Sequence, residues 1–295
     1  MLIRLARHSG FCFGVKRAIN SAMKAAADGD NIVTLGPIIH NPQMVERLAE
    51  HGIGYVDGIE QLGKGDTAII RSHGVTRETL RELEQKNVKI IDATCPHVSG
   101  TQQFTRQLKE EGYTVLILGN REHPEVIALQ SYADGEAIIV ASADEFIPKN
   151  YARLGIISQT TQPLGKLQEL VTKAVPCCGR LLMMNTICNA TSIRQESTLT
   201  LAQDSDIMIV VGGHNSSNTK MLALISSRCV QTYHIEMASE LKPQWFEGRE
   251  RIGITAGAST PDWIIVDVYN KINEYTGDRD CKTNNVADIP GYQEE

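Results

Sequence analysis

The stretch Ser9-Gly10-Phe11-Cys12-Phe13-Gly14-Val15-Lys16 opens a pattern that returns twice along the 295-residue chain. After Cys12 come an apolar spacing typical of a helix, a short apolar run, a glycine and a polar loop. The same order follows Cys95 and Cys188, and the interval from cysteine to glycine is 24 residues each time (12 to 36, 95 to 119, 188 to 212). The pattern predicts three copies of one cysteine-helix-strand-loop unit, with the cysteines at equivalent positions.

Short apolar runs alternate with helical patterns along the whole chain, which is the rhythm of parallel α/β sheets. The fold class we predict is therefore α/β, with three similar small domains built on parallel sheets. Residues Leu2 to Leu5 are expected to join the sheet of the third unit. The predicted boundaries are 13–95 for the first lobe, 96–186 for the second, 187–281 with 1–12 for the third, and 282–295 for a polar C-terminal tail.

Composition excludes several classes of function. With 42% hydrophobic residues, 22% charged residues and a net charge of −6, the chain has the balance of an ordinary globular protein and no basic surplus for nucleic acid or an anionic membrane. No apolar run reaches the length of a membrane span, and the N-terminal residues lack a signal-peptide core. We therefore predict a cytoplasmic protein with no nucleic-acid or membrane partner.

Cysteine usage points to metal chemistry. Seven cysteines without an export signal argue against a disulfide framework, and the absence of a CxxC pair argues against a zinc ribbon or a thioredoxin-like site. Cys229, Cys281 and the adjacent Cys177-Cys178 fit ordinary core positions. If three equivalent units meet around one axis, the three repeated cysteines converge, and three soft ligands with an open fourth position suit an iron-sulfur cluster or zinc.

Polar residues recur at the loops where ligands bind in parallel sheets, beyond the carboxyl ends of the strands. His40, His123 and Ser216 each lie 28 residues past a repeated cysteine, and prolines place helix starts beside them. Glu125 is the carboxylate closest to this repeated position, so it is the candidate proton donor. The residues predicted to hold a small diphosphate are His40, His73, His123, Thr160, Ser216, Ser217, Asn218 and Ser259.

Taken together, the motifs are familiar. They are Gly10-Phe11-Cys12-x-Gly14-Val15, His40-Asn41, Arg71-x-His73-Gly74, Asp92-Ala93-Thr94-Cys95-Pro96, His123-Pro124-Glu125-Val126, Gln159-Thr160-Thr161, Thr186-Ile187-Cys188, Asn215-Ser216-Ser217-Asn218 and Ala256-Gly257-Ala258-Ser259. In combination they resemble the 4-hydroxy-3-methylbut-2-enyl diphosphate reductase family of the non-mevalonate isoprenoid pathway. The resemblance covers nearly the whole chain.

The resemblance implies a trefoil of three α/β domains around a central 4Fe-4S cluster held by Cys12, Cys95 and Cys188. It also implies that the substrate hydroxyl meets the iron that carries no cysteine. By the same carry-over, Glu125, Thr160 and His123 are the catalytic residues near that hydroxyl. The diphosphate contacts it implies are His40, His73, His123, Ser216, Ser217, Asn218 and Ser259.

The implied reaction removes the hydroxyl reductively and yields isopentenyl diphosphate and dimethylallyl diphosphate. Single electrons would come from a donor such as ferredoxin or flavodoxin. Two alternatives stay open from the residues: a non-catalytic iron-sulfur redox sensor, and a zinc hydrolase acting on a phosphate ester. The sensor hypothesis does not explain the polar loop residues, and a set of three thiolate ligands argues against the hydrolase hypothesis.

Overall fold

The computed structural model describes residues 1–277, 287 and 289–290 of the chain. Within this part there are twelve strands: β1 (Leu2–Leu5), β2 (Asn31–Leu35), β3 (Gly54–Val56), β4 (Asp66–Ile70), β5 (Lys89–Asp92), β6 (Thr114–Leu118), β7 (Ile138–Val140), β8 (Tyr151–Ser158), β9 (Cys178–Met183), β10 (Ile207–Val211), β11 (Thr232–Ile235) and β12 (Arg251–Ala256). The same residues form nine α-helices: α1 (Phe13–Ala27), α2 (Pro42–Glu50), α3 (Arg77–Lys86), α4 (Pro96–Glu110), α5 (Pro124–Tyr132), α6 (Leu164–Ala174), α7 (Asn189–Gln203), α8 (Ser217–Ser227) and α9 (Asp262–Thr276).

Three four-stranded parallel sheets organise these strands, with orders β3-β2-β4-β5, β7-β6-β8-β9 and β1-β12-β10-β11. Each sheet has the same plan. The first strand after each repeated cysteine is central (β2, β6 or β10), and it pairs with a second inner strand (β4, β8 or β12). The third sheet takes its fourth strand from the N-terminus, since β1 pairs with β12. This confirms the predicted fold class and the predicted place of Leu2 to Leu5.

Contacts divide the chain into two compact units. The first comprises Met1–Phe13, His40–Met44 and the chain from Asn189 onward, and it contains the sheet with β10. The second comprises Gly14–Ile39 and Val45–Cys188, and it contains the other two sheets. The three lobe boundaries set from the cysteine spacing stay a prediction.

The first unit is built around a strand that is buried on both faces. All five residues of β10 are inaccessible, as expected for a central parallel strand covered by helices. α9 packs its apolar side against this sheet, with Ile265, Val268 and Ile272 fully buried. Of the predicted polar tail, the structure describes residues 287, 289 and 290, and Ile289 lies in this core.

The second unit has a separate apolar core for each of its sheets. Around β6, one cluster contains Leu116 and Leu118 and the other contains Val115 and Ile117, so the alternate residues of the strand serve opposite faces. The sheet with β2 packs a smaller cluster against α3, centred on the inaccessible Leu83. These cores hold the strand ends from which the candidate site residues project.

One detail of the expected core is wrong. Cys229 is exposed, because it follows α8 at the surface. Cys177 and Cys178 are partly buried; Cys178 begins the edge strand β9 and packs against the core that contains Leu116 and Leu118. Cys281 lies outside the described residues. None of the cysteines that the structure describes is in a disulfide.

Candidate active site

Each of the three repeated cysteines is fixed by the same backbone hydrogen bond. The cysteine N–H donates, always at 3.0 Å, to a backbone carbonyl oxygen. The acceptor lies two residues beyond the end of β12, β4 or β8. The three pairs are Cys12 with Ala258, Cys95 with Ser72, and Cys188 with Thr160. All three cysteines are partly buried and stand at or next to the start of a helix, a position that favours an anionic ligand. The equivalence predicted from their spacing therefore extends to their hydrogen bonding.

In the second unit, Glu125 forms a buried pair with Thr160. Glu125 lies in the first turn of α5 and is 1% exposed. Its Oε1 accepts the Thr160 backbone N–H at 2.7 Å, and its Oε2 accepts the Thr160 hydroxyl at 2.8 Å. Burial raises the pKa of Glu125 to about 7, although both hydrogen bonds from Thr160 oppose the rise. A carboxyl group with this pKa is partly protonated near neutral pH, which suits a proton donor.

The start of α5 is shaped by its first two residues. His123 is the N-cap, and its Nδ1 accepts the Glu125 backbone N–H at 3.2 Å. Pro124 follows in the first helical position, where its missing N–H has no consequence. Ile127 is 44% exposed and Ala128 is buried, so the bulk of Ile127 points to solvent while Glu125 keeps both bonds to Thr160.

His73 lies close to this pair in the same unit. It follows β4 by three residues, and its ring makes an edge contact with the His123 ring, with centroids 5.3 Å apart and planes at 89°. The structure therefore brings together four predicted residues of the second unit. They are His73, His123, Glu125 and Thr160.

In the first unit, the N-terminus of α8 carries polar atoms that lack partners. Ser216 is the N-cap, and its hydroxyl oxygen accepts the Thr219 backbone N–H at 3.3 Å. Asn218 is 4% exposed, yet neither its Oδ1 nor its Nδ2 has a hydrogen bond. Buried amide atoms are almost always paired, so this side chain is a candidate contact for a ligand. Ser259, just beyond β12, is also buried.

The segment with His40 packs tightly against the loop that precedes α8. A Cβ at Gly213 would collide with the His40 carbonyl oxygen, so only glycine permits this approach. Asn41 Oδ1 caps α2 by accepting the Met44 N–H at 2.8 Å, while its buried Nδ2 has no hydrogen bond. The predicted residues His40, Ser216, Ser217 and Asn218 are therefore neighbouring parts of one unit, and Cys12 and Ser259 belong to that unit as well.

Sequence reasoning missed the residue that ties the Glu125 loop to the Thr160 loop. Gln159 is inaccessible, and its Oε1 accepts the Asn120 backbone N–H at 3.1 Å. Gly119 leaves no room for a side chain between Val126 and Gln159. The signal was present in the motif Gln159-Thr160-Thr161, but a glutamine carries no spacing pattern that marks it as a link between loops.

Comparison with known proteins then decides the family. The LytB protein family matches residues 3–273. The chain belongs to the LytB family. A relative from Geobacter sulfurreducens, named 4-hydroxy-3-methylbut-2-enyl diphosphate reductase, is 45% identical over 278 residues, which cover 93% of this chain and 98% of the relative. A relative of the same name from Aquifex aeolicus is 46% identical over 278 residues, with 92% and 96% covered.

Solved structures agree with this membership. A structure described as (E)-4-hydroxy-3-methyl-but-2-enyl diphosphate reductase, the terminal enzyme of the non-mevalonate pathway, is 46% identical with a TM-score of 0.68, covering 92% of this chain and 99% of its own. The reductase from Plasmodium falciparum has a TM-score of 0.88 at 24% identity, with 99% and 95% covered, and it shows the shared fold. The predicted resemblance to this LytB reductase family is confirmed, and the enzyme interpretation is favoured over a redox sensor.

Proposed function

We propose that this LytB protein reduces (E)-4-hydroxy-3-methylbut-2-enyl diphosphate to isopentenyl diphosphate and dimethylallyl diphosphate. The observation that carries the proposal within the chain is the buried Glu125–Thr160 pair, a carboxyl group with a pKa of about 7 held by two hydrogen bonds. Hydroxide is a poor leaving group, and a positioned proton donor converts it to water. The names of the relatives supply the substrate class.

The reaction balances with two electrons and two protons. The first proton and both electrons cleave the C–O bond, release water and leave an allylic anion. The second proton adds to either end of that anion and gives the two products. In this proposal Glu125 holds the first proton, the Thr160 hydroxyl fixes the orientation of the carboxyl group, and His123 holds the turn that presents it.

The three cysteines suit an iron-sulfur cluster as its ligands. Thiolates are soft ligands, and the matching backbone hydrogen bonds hold the three cysteines in equivalent positions. Cys12, Cys95 and Cys188 would hold a 4Fe-4S cluster, which supplies single electrons and a Lewis acid for the substrate hydroxyl when bound. We also propose that a donor such as ferredoxin or flavodoxin supplies the electrons, and that the protein is cytoplasmic.

We propose that the diphosphate binds at helix starts that carry polar side chains. Asn218 offers two buried amide atoms that have no hydrogen bond, and Ser216 stands at the N-terminus of α8, where the helix dipole favours negative charge. The other proposed diphosphate contacts are His40, His73, His123, Ser217 and Ser259, whereas Thr160 is proposed to bind at the substrate hydroxyl. A bound diphosphate would give the orphaned amide atoms of Asn218 the partners that they lack.

The test is anaerobic purification followed by turnover. The protein is expected to contain close to four irons and four sulfides per chain and, with a chemical electron donor, to convert the hydroxylated diphosphate to both products. Cys95→Ser is expected to lose cluster and turnover together, whereas Cys229→Ser, at an exposed position, keeps both. Zinc in place of iron would support the hydrolase, and an intact cluster without any turnover would support the redox sensor.

A further inference from the structure

A half-buried arginine holds the backbone directly ahead of Cys95. Arg17, on α1, donates from Nη1 to the Thr94 carbonyl oxygen at 2.7 Å and from Nη2 toward the Asp92 carbonyl oxygen at 3.4 Å. The Asp92 side chain accepts the Thr94 N–H at 2.8 Å. Hydrogen bonds from a charged donor are stronger than neutral ones, so this contact fixes the peptide that carries the cysteine.

A second arginine does the same ahead of Cys12. Arg194, on α7, is 4% exposed and donates from Nη2 to the Gly10 carbonyl oxygen at 2.8 Å. Gly10 has a φ of +85°, and a Cβ there would lie 2.5 Å from Asp262 Oδ1. The segment that leads into Cys12 is therefore enclosed by the arginine on one helix and by the first residue of α9.

These two arginines occupy matching places in the repeat. Arg17 lies five residues after Cys12 and Arg194 lies six residues after Cys188, each on the helix that follows its cysteine. Each therefore reaches the peptide ahead of a cysteine from another repeat. Spacing alone did not mark them, because arginine on a helix is common at surfaces.

The third copy of the repeat lacks the arginine. α4, which follows Cys95, has Gly100 and Thr101 at the matching positions, and the Thr101 hydroxyl bonds within its own helix. The residues ahead of Cys188 are held by neutral groups instead, since the Thr186 hydroxyl donates to the Ser158 carbonyl oxygen at 2.6 Å. Among the described residues, an arginine therefore donates to the backbone ahead of two of the three repeated cysteines, and the Thr186 hydrogen bond ahead of the third comes from a neutral group.

We propose that Arg17 and Arg194 are positioning residues that fix the Cys95 and Cys12 segments and raise the reduction potential of the cluster, an inference that rests on the proposed function. Reduction adds negative charge to the cluster, so a nearby cation favours the reduced form. Two residues of chain span at most about 7 Å, so each guanidinium group is bonded to backbone within that distance of its cysteine. Outer groups of this kind tune a metal centre that they do not touch.

The test compares charge-removing and charge-keeping variants of the holoenzyme. Arg17→Gln and Arg194→Gln are expected to lower the midpoint potential of the cluster, which EPR-monitored titration measures. The expected change in the one-electron equilibrium constant is three- to tenfold, which corresponds to about 28 to 59 mV. Arg17→Lys and Arg194→Lys keep most of the wild-type potential. Arg106→Gln is the control, because Arg106 pairs with Glu110 on the exposed side of α4, and no shift is expected there.

Equal potentials in wild type and in both glutamine variants, at equal iron content, would overturn the inference. Because Arg194 is buried, Arg194→Gln is also the variant most prone to misfold, and the more accessible Arg17→Gln then decides the question. A wild-type protein that holds no cluster would refute the proposed function itself. A chelator that extracts iron at the same rate from Arg17→Gln and wild type would contradict the positioning role.

Discussion

Two buried polar side chains, one in each compact unit, differ in their hydrogen bonding. In the second unit, both carboxylate oxygens of Glu125 already have short hydrogen bonds to Thr160. In the first unit, both side-chain polar atoms of Asn218 are buried without a hydrogen bond. In the proposed function, the proton donor Glu125 is thus held in place before substrate arrives, whereas Asn218 gains its hydrogen bonds from the diphosphate. The difference separates the roles proposed for Glu125 and Asn218, and substitutions at these two residues can test the separation.

The largest effect is expected for Glu125→Gln. Removing the proton donor should lower kcat by about 100-fold or more. Because Gln keeps the shape and can still bond Thr160, KM and iron content should change little. Steady-state kinetics with a chemical electron donor measures both constants. Glu122→Gln, an exposed change three residues earlier, is the matched control, and a near-normal kcat in Glu125→Gln would remove Glu125 from the mechanism.

Asn218→Ala should affect binding instead. Loss of hydrogen bonds to a charged group is expected to raise KM by roughly tenfold or more, with kcat within a few-fold of wild type. Inorganic diphosphate should also bind more weakly, which calorimetry measures without turnover. Asn150→Ala, in an exposed loop, serves as control. A fall in kcat at unchanged KM would place Asn218 with the chemistry and erase the contrast between the units.

The pH dependence should follow the protonation of Glu125. Its folded pKa of about 7 lies above the ordinary value of 4.5, so the proton-donating form is lost as pH rises through 7. We expect kcat to fall across that range in wild type and the residual kcat of Glu125→Gln to lack this step. A wild-type kcat that is flat from pH 6 to 8 would contradict the raised pKa, provided that chemistry limits the rate.

The same shift has a consequence for stability. A carboxyl group whose pKa is raised on folding contributes stability below its unfolded pKa, and that contribution is lost as pH rises through the folded value. Glu125 therefore destabilises the protein at pH 8 relative to pH 4.5, by up to roughly 3 kcal/mol. Melting curves should show Glu125→Gln more stable than wild type at pH 8 and equal to it near pH 4.5. The reverse order at pH 8 would contradict this sign.

The smallest expected effect concerns the two asparagines of the first unit. Asn218→Leu removes unpaired buried amide atoms at nearly constant volume, so the melting temperature should stay equal or rise slightly. Asn41→Leu should lower stability by about 1 kcal/mol, because Asn41 Oδ1 caps α2. Thermal melts of both variants test this. Equal losses would mean that the Asn218 side chain has a partner inside the protein.

The fold was accessible from sequence because its repeat is regular. Gly36, Gly119 and Gly212 each follow directly on the end of a central strand, as the 24-residue interval predicted. The short strands β3 and β11 were missed, since three or four residues at a sheet edge carry little apolar pattern. The edge strand β9 was missed as well, and three of its six residues are only partly buried and three are exposed at the edge of the sheet.

The candidate site could be predicted from the sequence only in part. The distance in sequence from the repeated cysteines marked Glu125 and Asn218 as candidates. That distance carries no information on whether a side chain is already hydrogen-bonded. The bonds from Arg17 and Arg194 join residues 77 and 184 positions apart, and no local spacing predicts such contacts. Long-range contacts of this kind emerge only when the chain is folded.

The central claim is that Cys12, Cys95 and Cys188 hold one cluster whose fourth iron is open to the substrate hydroxyl. The Mössbauer spectrum of anaerobic protein enriched in ⁵⁷Fe, recorded with and without the hydroxylated diphosphate, tests it most directly. The account predicts four irons per chain, one of them distinct, and a change in the parameters of that one iron when substrate binds. Four equivalent irons that do not respond to substrate would contradict it.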